Sequence, residues 1–264
     1  MAFGLTPGPK PVPGVADIDW TAPWLSDWRA VGQPLAERIT AGLPQPDALN
    51  QHDAPQQVPV LFVPQADLPA DQAYEAFIFN SHCVPTREGL HDFFNALCWM
   101  HFPLTKQRLN GLQGQAISRA GVGAVRGPLR DAATVFDENA ALLQAPDVLW
   151  QALVERRWQE AFVALRPLWQ STRWWTFGHA ALEKLVQPYK SITVHVWRVP
   201  EGLPDLPAID AWLAQDLQAD KLASKPFCPM PVLGVPGWWP ANEDADFYAD
   251  AAVFRPLRPA VSKT

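Results

Sequence analysis

The sequence predicts an α+β fold: a mainly helical single domain with a small antiparallel sheet and a long loop-rich C-terminal wrap. Three observations carry this. Leu90, Phe93, Phe94, Leu97 and Met100 recur at three- and four-residue spacing with no Pro or Gly between them, the mark of an amphipathic helix. Residues 191–199 alternate in polarity, as a strand does. The chain also carries 28 prolines and 13 tryptophans in 264 residues. Proline at roughly twice its usual 5% or so breaks regular elements, and the aromatics must find a core.

The elements follow in order. Residues 1–19 are Pro- and Gly-rich and read as an irregular segment. The globular domain is expected over 20–258, with 259–264 as a tail. Trp20, Trp24 and Trp28 should pack back onto the body, with a stacking platform for sugars or bases as the sharper alternative. A short helix is expected over 35–43, ended by Gly42 and Pro44, and a polar loop over 44–57. Residues 58–63 suit a strand that Pro59 confines to an edge. Residues 70–80 read as a helix with Tyr74, Phe77 and Ile78 inward. Glu75 in that apolar setting is either paired to an arginine or functional.

Pro85 forces Val84 out of the helical region, and Thr86 is a fair N-cap for a helix running to His101. Pro103 ends it, and Thr105 caps a shorter helix carrying Lys106 and Arg108. Residues 111–127 are Gly-rich and irregular. They lack the Gly-Lys-Ser/Thr end of a phosphate loop, and Gly121-Val-Gly123 lacks the third glycine of a dinucleotide fingerprint. Residues 132–136 and 140–143 suit two strands of a hairpin turned by Asp137, Glu138 and Asn139. Residues 147–169 have helix character with a charged outer face. Residues 174–178 read as extended, 178–186 as a helix, 191–199 as a strand and 208–217 as an amphipathic helix. From Pro229 onward the chain is turns and short extended pieces. Loops this aromatic must cover the body, since exposed patches of that size are uncommon.

Composition excludes several classes. A net charge of −6 argues against general nucleic-acid binding, which needs a basic surface. Cys83, Cys98 and Cys228 are odd in number and form no Cys-x-x-Cys, so neither a disulfide framework nor a zinc site is signalled. No apolar run approaches about 18 residues, so no membrane span is expected. The N-terminus lacks the basic and apolar regions of a signal peptide, which makes a cytoplasmic location the default. Cofactor, metal identity and oligomeric state are not encoded in any motif.

What remains is a set of polar residues among aromatics. His91, Asn95 and Cys98 share one helix stripe, with Asp92 beside Asn95. His179 and Glu183 share another at i, i+4. An enzyme would use His91 or His179 as base or ligand and Asp92, Asp131, Asp137 and Glu138 to hold water or a metal for assisted hydrolysis. Arg87, Lys106, Arg126 and Arg130, with Asn95, would bind an anionic small molecule. The same Arg/Lys set and the tryptophans would serve a pure binding module, which requires a basic concave patch. A structural protein would instead bury these groups in satisfied networks with no pocket beside them.

Several blocks resemble a known family in order and spacing. They are Val84-Pro-Thr-Arg87, His91-Asp-Phe-Phe-Asn-Ala-Leu-Cys-Trp99, Phe102-Pro-Leu-Thr-Lys106, Arg126-Gly-Pro-Leu-Arg-Asp131, Phe136-Asp-Glu-Asn139, Phe177-Gly-His-Ala-Ala-Leu-Glu-Lys184, Pro231-Val-Leu-Gly-Val-Pro-Gly-Trp238 and Phe247-Tyr-Ala-Asp250 with Val253-Phe-Arg255. Together, over roughly residues 70–258, they resemble the bacterial family DUF3025. The resemblance implies a bacterial protein of the same fold and brings no activity with it. Where that pattern leads one to expect a glycine after Asp-Glu-Asn, this chain has Ala140, which argues against a strictly left-handed turn residue there.

Overall fold

The computed structural model describes residues 12–120 and 127–257. The chain builds α1 (Arg29–Thr40), α2 (Gln45–Leu49), β1 (Leu61–Pro64), α3 (Tyr74–Ser81), β2 (Cys83–Thr86), α4 (Leu90–His101) and α5 (Pro103–Ala120). It continues with α6 (Pro128–Asn139), β3 (Ala140–Gln144), α7 (Asp147–Val154), β4 (Arg173–Thr176), α8 (His179–Lys184), β5 (Thr193–Val199), α9 (Leu206–Asp216), α10 (Ala219–Ala223) and β6 (Cys228–Pro231). The architecture is mixed α+β and mainly helical, as the sequence predicts.

The main sheet has the order β4-β3-β5-β6. β3 runs antiparallel to β4 and parallel to β5, and β6 returns antiparallel to β5. The sheet is therefore mixed rather than purely antiparallel. The reason lies in β3: all five of its residues, Ala-Ala-Leu-Leu-Gln, are buried. A strand buried on both faces reads as an apolar run and takes helix-spaced crossovers. A second sheet pairs β1 and β2 in parallel, in register from Leu61–Cys83 to Pro64–Thr86. β6 holds Pro229 and Pro231 on the sheet edge, where a missing N–H costs no ladder bond.

Several local expectations are corrected. The 132–143 hairpin is instead the helix α6 running straight into β3. Pro128 at its first turn is pre-set for a helix. Ala132, Ala133 and Phe136 form a helix-spaced buried face, which overrides the β-branched Thr134 and Val135. Asp137, Glu138 and Asn139 thus form the last helical turn, not a hairpin tip.

α4 starts at Leu90 rather than after Thr86, because Gly89 turns the chain at φ 127° and Thr86 stays in β2. α5 is long and passes through Gly111 and Gly114. A Cβ at Gly114 would meet the Phe79 ring at 2.7 Å, so the glycine lets α3 lie against α5. Residues 121–126, part of the expected Gly-rich stretch, lie outside the described residues.

The 44–57 stretch holds the short, buried helix α2. The helix expected over 147–169 is broken after α7 at Arg156, which sits at φ 54°, and resumes as a π-turn over Glu160–Ala164 and a 3-10 segment over Arg166–Ser171.

One hydrophobic core joins these layers. Trp24 and Trp28 are buried in it, and Trp20 stacks edge-on against Phe93 at 6.3 Å, so the N-terminal tryptophans pack back. The C-terminal stretch wraps the body through aromatics: Tyr248 stacks on Phe162 at 4.9 Å and Phe254 meets Trp158 at 6.1 Å. Asn242, fully buried, fixes the wrap by donating to the carbonyls of Leu233 and Val235 at 2.9 and 2.7 Å. Among the described residues no helix is long and apolar enough to cross a membrane.

Candidate functional site

Two close backbone approaches create the site. The first is at the start of α4. Gln45, fully buried on α2, accepts from the Gly89 N–H at 3.1 Å and donates to the Arg87 carbonyl at 2.9 Å. Its own N–H donates to Glu88 Oε1 at 2.9 Å. This clamp fixes the loop that presents Arg87 and sets the start of α4, hence the direction of His91.

The second is at Gly178, which precedes α8. A Cβ there would lie 2.4 Å from the Glu138 carbonyl oxygen and 2.5 Å from the Asn139 nitrogen. Only a glycine lets the first turn of α8 abut the last turn of α6, so His179 arrives beside Asp137 and Glu138. Phe136 and Phe177 pack beneath at 5.1 Å.

Between these walls lies a cavity of about 350 Å³. Arg87, His91, Asp92, Asn95, Asp137, Glu138 and His179 all line it. A chain of contacts crosses it. Glu183 Oε2 meets His91 Nδ1 at 2.9 Å. His91 Nε2 meets His179 Nε2 at 3.1 Å, with the rings nearly perpendicular at 83°. His179 Nδ1 lies 3.9 Å from Asp137 Oδ2 and, though buried, has no hydrogen-bond partner. Asp137 Oδ1 accepts from Lys106 Nζ at 2.5 Å, and Lys106 also donates to Asn95 Oδ1 at 2.8 Å. Asn95 in turn donates to the Tyr74 hydroxyl at 3.1 Å. Lys106 is itself buried and lies 5.5 Å from the centre of the Trp99 ring.

The electrostatics follow from burial and pairing. Burial disfavours the charged imidazole of His179 more than Asp137 favours it, and pushes its pKa down to about 4. Burial alone would raise the Asp137 carboxyl; Lys106 and then His179 outweigh it and hold Asp137 below the ordinary carboxylate range. The Tyr74 phenol is raised, by burial first and by Asp92 and Asp137 after it. His179 is thus neutral and Asp137 ionised near neutral pH.

The cations expected to seize an anion are engaged. Asp92 accepts from the Arg87 backbone N–H at 2.7 Å and from its guanidinium at 3.0 and 3.2 Å. Lys106 is spent on Asp137 and Asn95. Arg130 does not line the cavity, and its buried Nε has no hydrogen-bond partner. Asp131 is exposed on the first turn of α6, away from the cavity lining. Arg126 lies outside the described residues. Among the described residues no three His, Cys, Asp or Glu side chains are grouped to hold a metal.

Five further participants fall outside the predicted site set, though the sequence marks Glu75 as paired or functional and sets Glu183 beside His179. Glu183 shares the helix face of His179 at i, i+4 but bonds His91 across the α4–α8 contact instead. That facing carboxylate was the available signal. Glu75 lines the cavity and has no ion pair among the described residues. Tyr74 and Gln113 also line it. Gln45 carries no signal in the sequence, since a glutamine in a Pro-rich stretch reads as loop.

The fold and site define a mixed α+β protein whose cavity is built on a histidine pair held between two carboxylates. Residues 60–258 match the family described as Protein of unknown function (DUF3025), and the chain belongs to that family. No curated protein and no solved structure matches it.

Proposed function

We propose that the protein is an enzyme that performs general acid–base chemistry on a small molecule held in this cavity, with His91 as the proton-transferring group. One observation carries the reading: two imidazole Nε2 atoms 3.1 Å apart, each ring backed by a carboxylate.

Atoms that close share a single hydrogen, because a neutral imidazole has one donor and one acceptor nitrogen. Glu183 can only accept, so His91 donates from Nδ1 and its Nε2 accepts from His179. The Nδ1 of His179 then carries a lone pair facing Asp137, which explains why it has no partner. When His91 gains a proton at Nε2, that proton faces His179. That proton is the hydrogen His179 held on Nε2, and in exchange His179 takes the incoming proton on Nδ1, directed at the Asp137 carboxylate, so the pair gains one proton in all. Glu183 stabilises the imidazolium, and Asp137, charged by its contact with Lys106, stabilises the switched tautomer. The pair is a proton store with a charge at each end.

Among the described residues neither histidine bonds a serine or cysteine; their ring hydrogen bonds are to Glu183 and to each other. Cys98 is buried, donates to the Phe177 carbonyl, and has its thiol raised by burial. A covalent intermediate on a histidine-activated side chain has no support, so His91 acts on water or on the substrate itself. Asn95 and Gln113 present amides to the ligand, and Asp92 keeps Arg87 paired on the cavity wall. The cavity argues against a purely structural role, which requires these groups to be satisfied with no pocket beside them.

The test uses a mixture of polar small metabolites incubated with wild type, His91→Asn and Asp137→Asn, followed by mass spectrometry. Conversion by wild type that falls about 10²–10⁴-fold in His91→Asn supports the role. Identical profiles from wild type and His91→Asn overturn it.

A further inference from the structure

Every cation described around the cavity is already paired, yet carboxylates remain. Arg87 is held by Asp92 through three hydrogen bonds, and Lys106 by Asp137. Glu183 is engaged by His91. Glu75 and Glu138 stand on the cavity wall with no ion pair among the described residues. The two neutral pairs cancel, so the wall carries the charge of these two glutamates. A concave, partly enclosed site focuses that field on whatever enters. An anion would meet two uncompensated carboxylates, and it would have to take Arg87 from a bidentate partner. A cation would meet charges with nothing else to answer them.

We infer that the substrate of this site carries a cationic nitrogen, an ammonium or guanidinium group, seated against Glu75 and Glu138. The inference rests on the acid–base reading for the site itself, which stands on the histidine pair and its cavity; the glutamates only set what it takes. Glu75, from α3, and Glu138, from the last turn of α6, come from two separate elements that both line the cavity. A nitrogen between them leaves the rest of the ligand facing His91 and the amides of Asn95 and Gln113. The Tyr74 ring, which also lines the cavity, suits the alkyl stem beside such a cation. Recognition thus falls to Glu75 and Glu138, and proton transfer to the histidines. The anion-binding expectation gives way because the arginine and lysine that suggested it are internal partners.

The experiment compares three molecules of similar length and different charge: putrescine, 1,4-butanediol and succinate, with agmatine as the guanidinium probe. Binding is followed by calorimetry and by the imidazole NMR signals of His91 and His179 in the full chain. Putrescine or agmatine is expected to bind and to shift both imidazoles, at least 10-fold more tightly than the diol, with no binding of succinate. Glu75→Gln and Glu138→Gln should each weaken the amine at least 5-fold and leave thermal stability unchanged, whereas Val148→Ala, on the exposed surface, should change neither binding nor stability. Preference for succinate, equal binding of the diol, or no binding by any probe overturns the substrate class.

The two readings fail separately. The amine can bind while the two imidazoles show no tautomer exchange, which sinks the acid–base reading alone. Succinate can bind to an intact proton-sharing pair, which sinks the substrate class alone.

Discussion

His179 ties stability to pH. Its folded pKa is depressed to about 4 from the ordinary 6.5, so between those values the unfolded chain binds the proton and the folded chain does not. Stability is therefore full above about pH 6.5 and falls as pH drops toward 4, by up to about 3 kcal/mol from this group. His101 shifts the same way, with burial as its first cause, so His179→Phe should flatten the slope without abolishing it. Urea denaturation at pH 4.5 and 7 measures the difference. A slope unchanged by His179→Phe would mean the imidazole is not buried neutral.

Lys106 makes a second case. Removing it leaves Asp137 half-buried and unpaired, so Lys106→Met should cost about 3 kcal/mol. Lys106→Met with Asp137→Asn should recover part of that loss, and a double-mutant cycle reads the coupling.

Helices place these groups, and each depends on a contact from another part of the chain. Asp210, buried on α9, accepts from the N–H groups of Leu104 and Thr105 at 2.9 and 2.8 Å. It thus caps the first turn of α5, where the dipole favours a negative charge. Asp210→Ala should cost about 2 kcal/mol and be read as a lower urea midpoint.

Gly178→Ala forces a Cβ into the Glu138–Asn139 backbone, which cannot yield as a side chain would. A loss of about 3 kcal/mol or more is expected, with the His91–His179 NMR signals disturbed. A native-like melting point and spectrum would show the approach is looser than 2.4 Å.

Such contacts explain what the sequence disclosed. Helical spacing exposed α4 and α8, alternation exposed β5, and the polar blocks held most of the cavity wall. α6 was misread because Thr134 and Val135 argue locally for a strand while Pro128 and the alanines argue for a helix. Only packing against the sheet decides. Gln45 and Asp210 were silent because their partners lie 44 and 106 residues away.

At the scale of the molecule, the sheet and the site are one construction. β3 leaves α6 directly, pairs with β4 and β5, and β4 leads through Gly178 into α8. The central strand therefore carries one cavity wall at each end of its connections. The C-terminal wrap closes the far side, and Asn242 anchors it. Asn242→Ala leaves the buried Leu233 carbonyl without its donor, takes one of two donors from the Val235 carbonyl, and should cost about 2 kcal/mol. It should also raise amide exchange in residues 233–254 more than in α4.

The bond between His91 and Glu183 spans 92 residues of chain. A ribosome that has made α4, α5 and α6 has released one histidine, its asparagine and its aspartate, and none of them yet has the other half of the proton pair. The nascent chain passes through a long interval in which the aromatic layers can gather while the chemistry does not exist. On the acid–base proposal, competence arrives at one stroke, when α8 emerges and docks. A copy that ends before α8 lacks His179 and Glu183 and is expected to be inert.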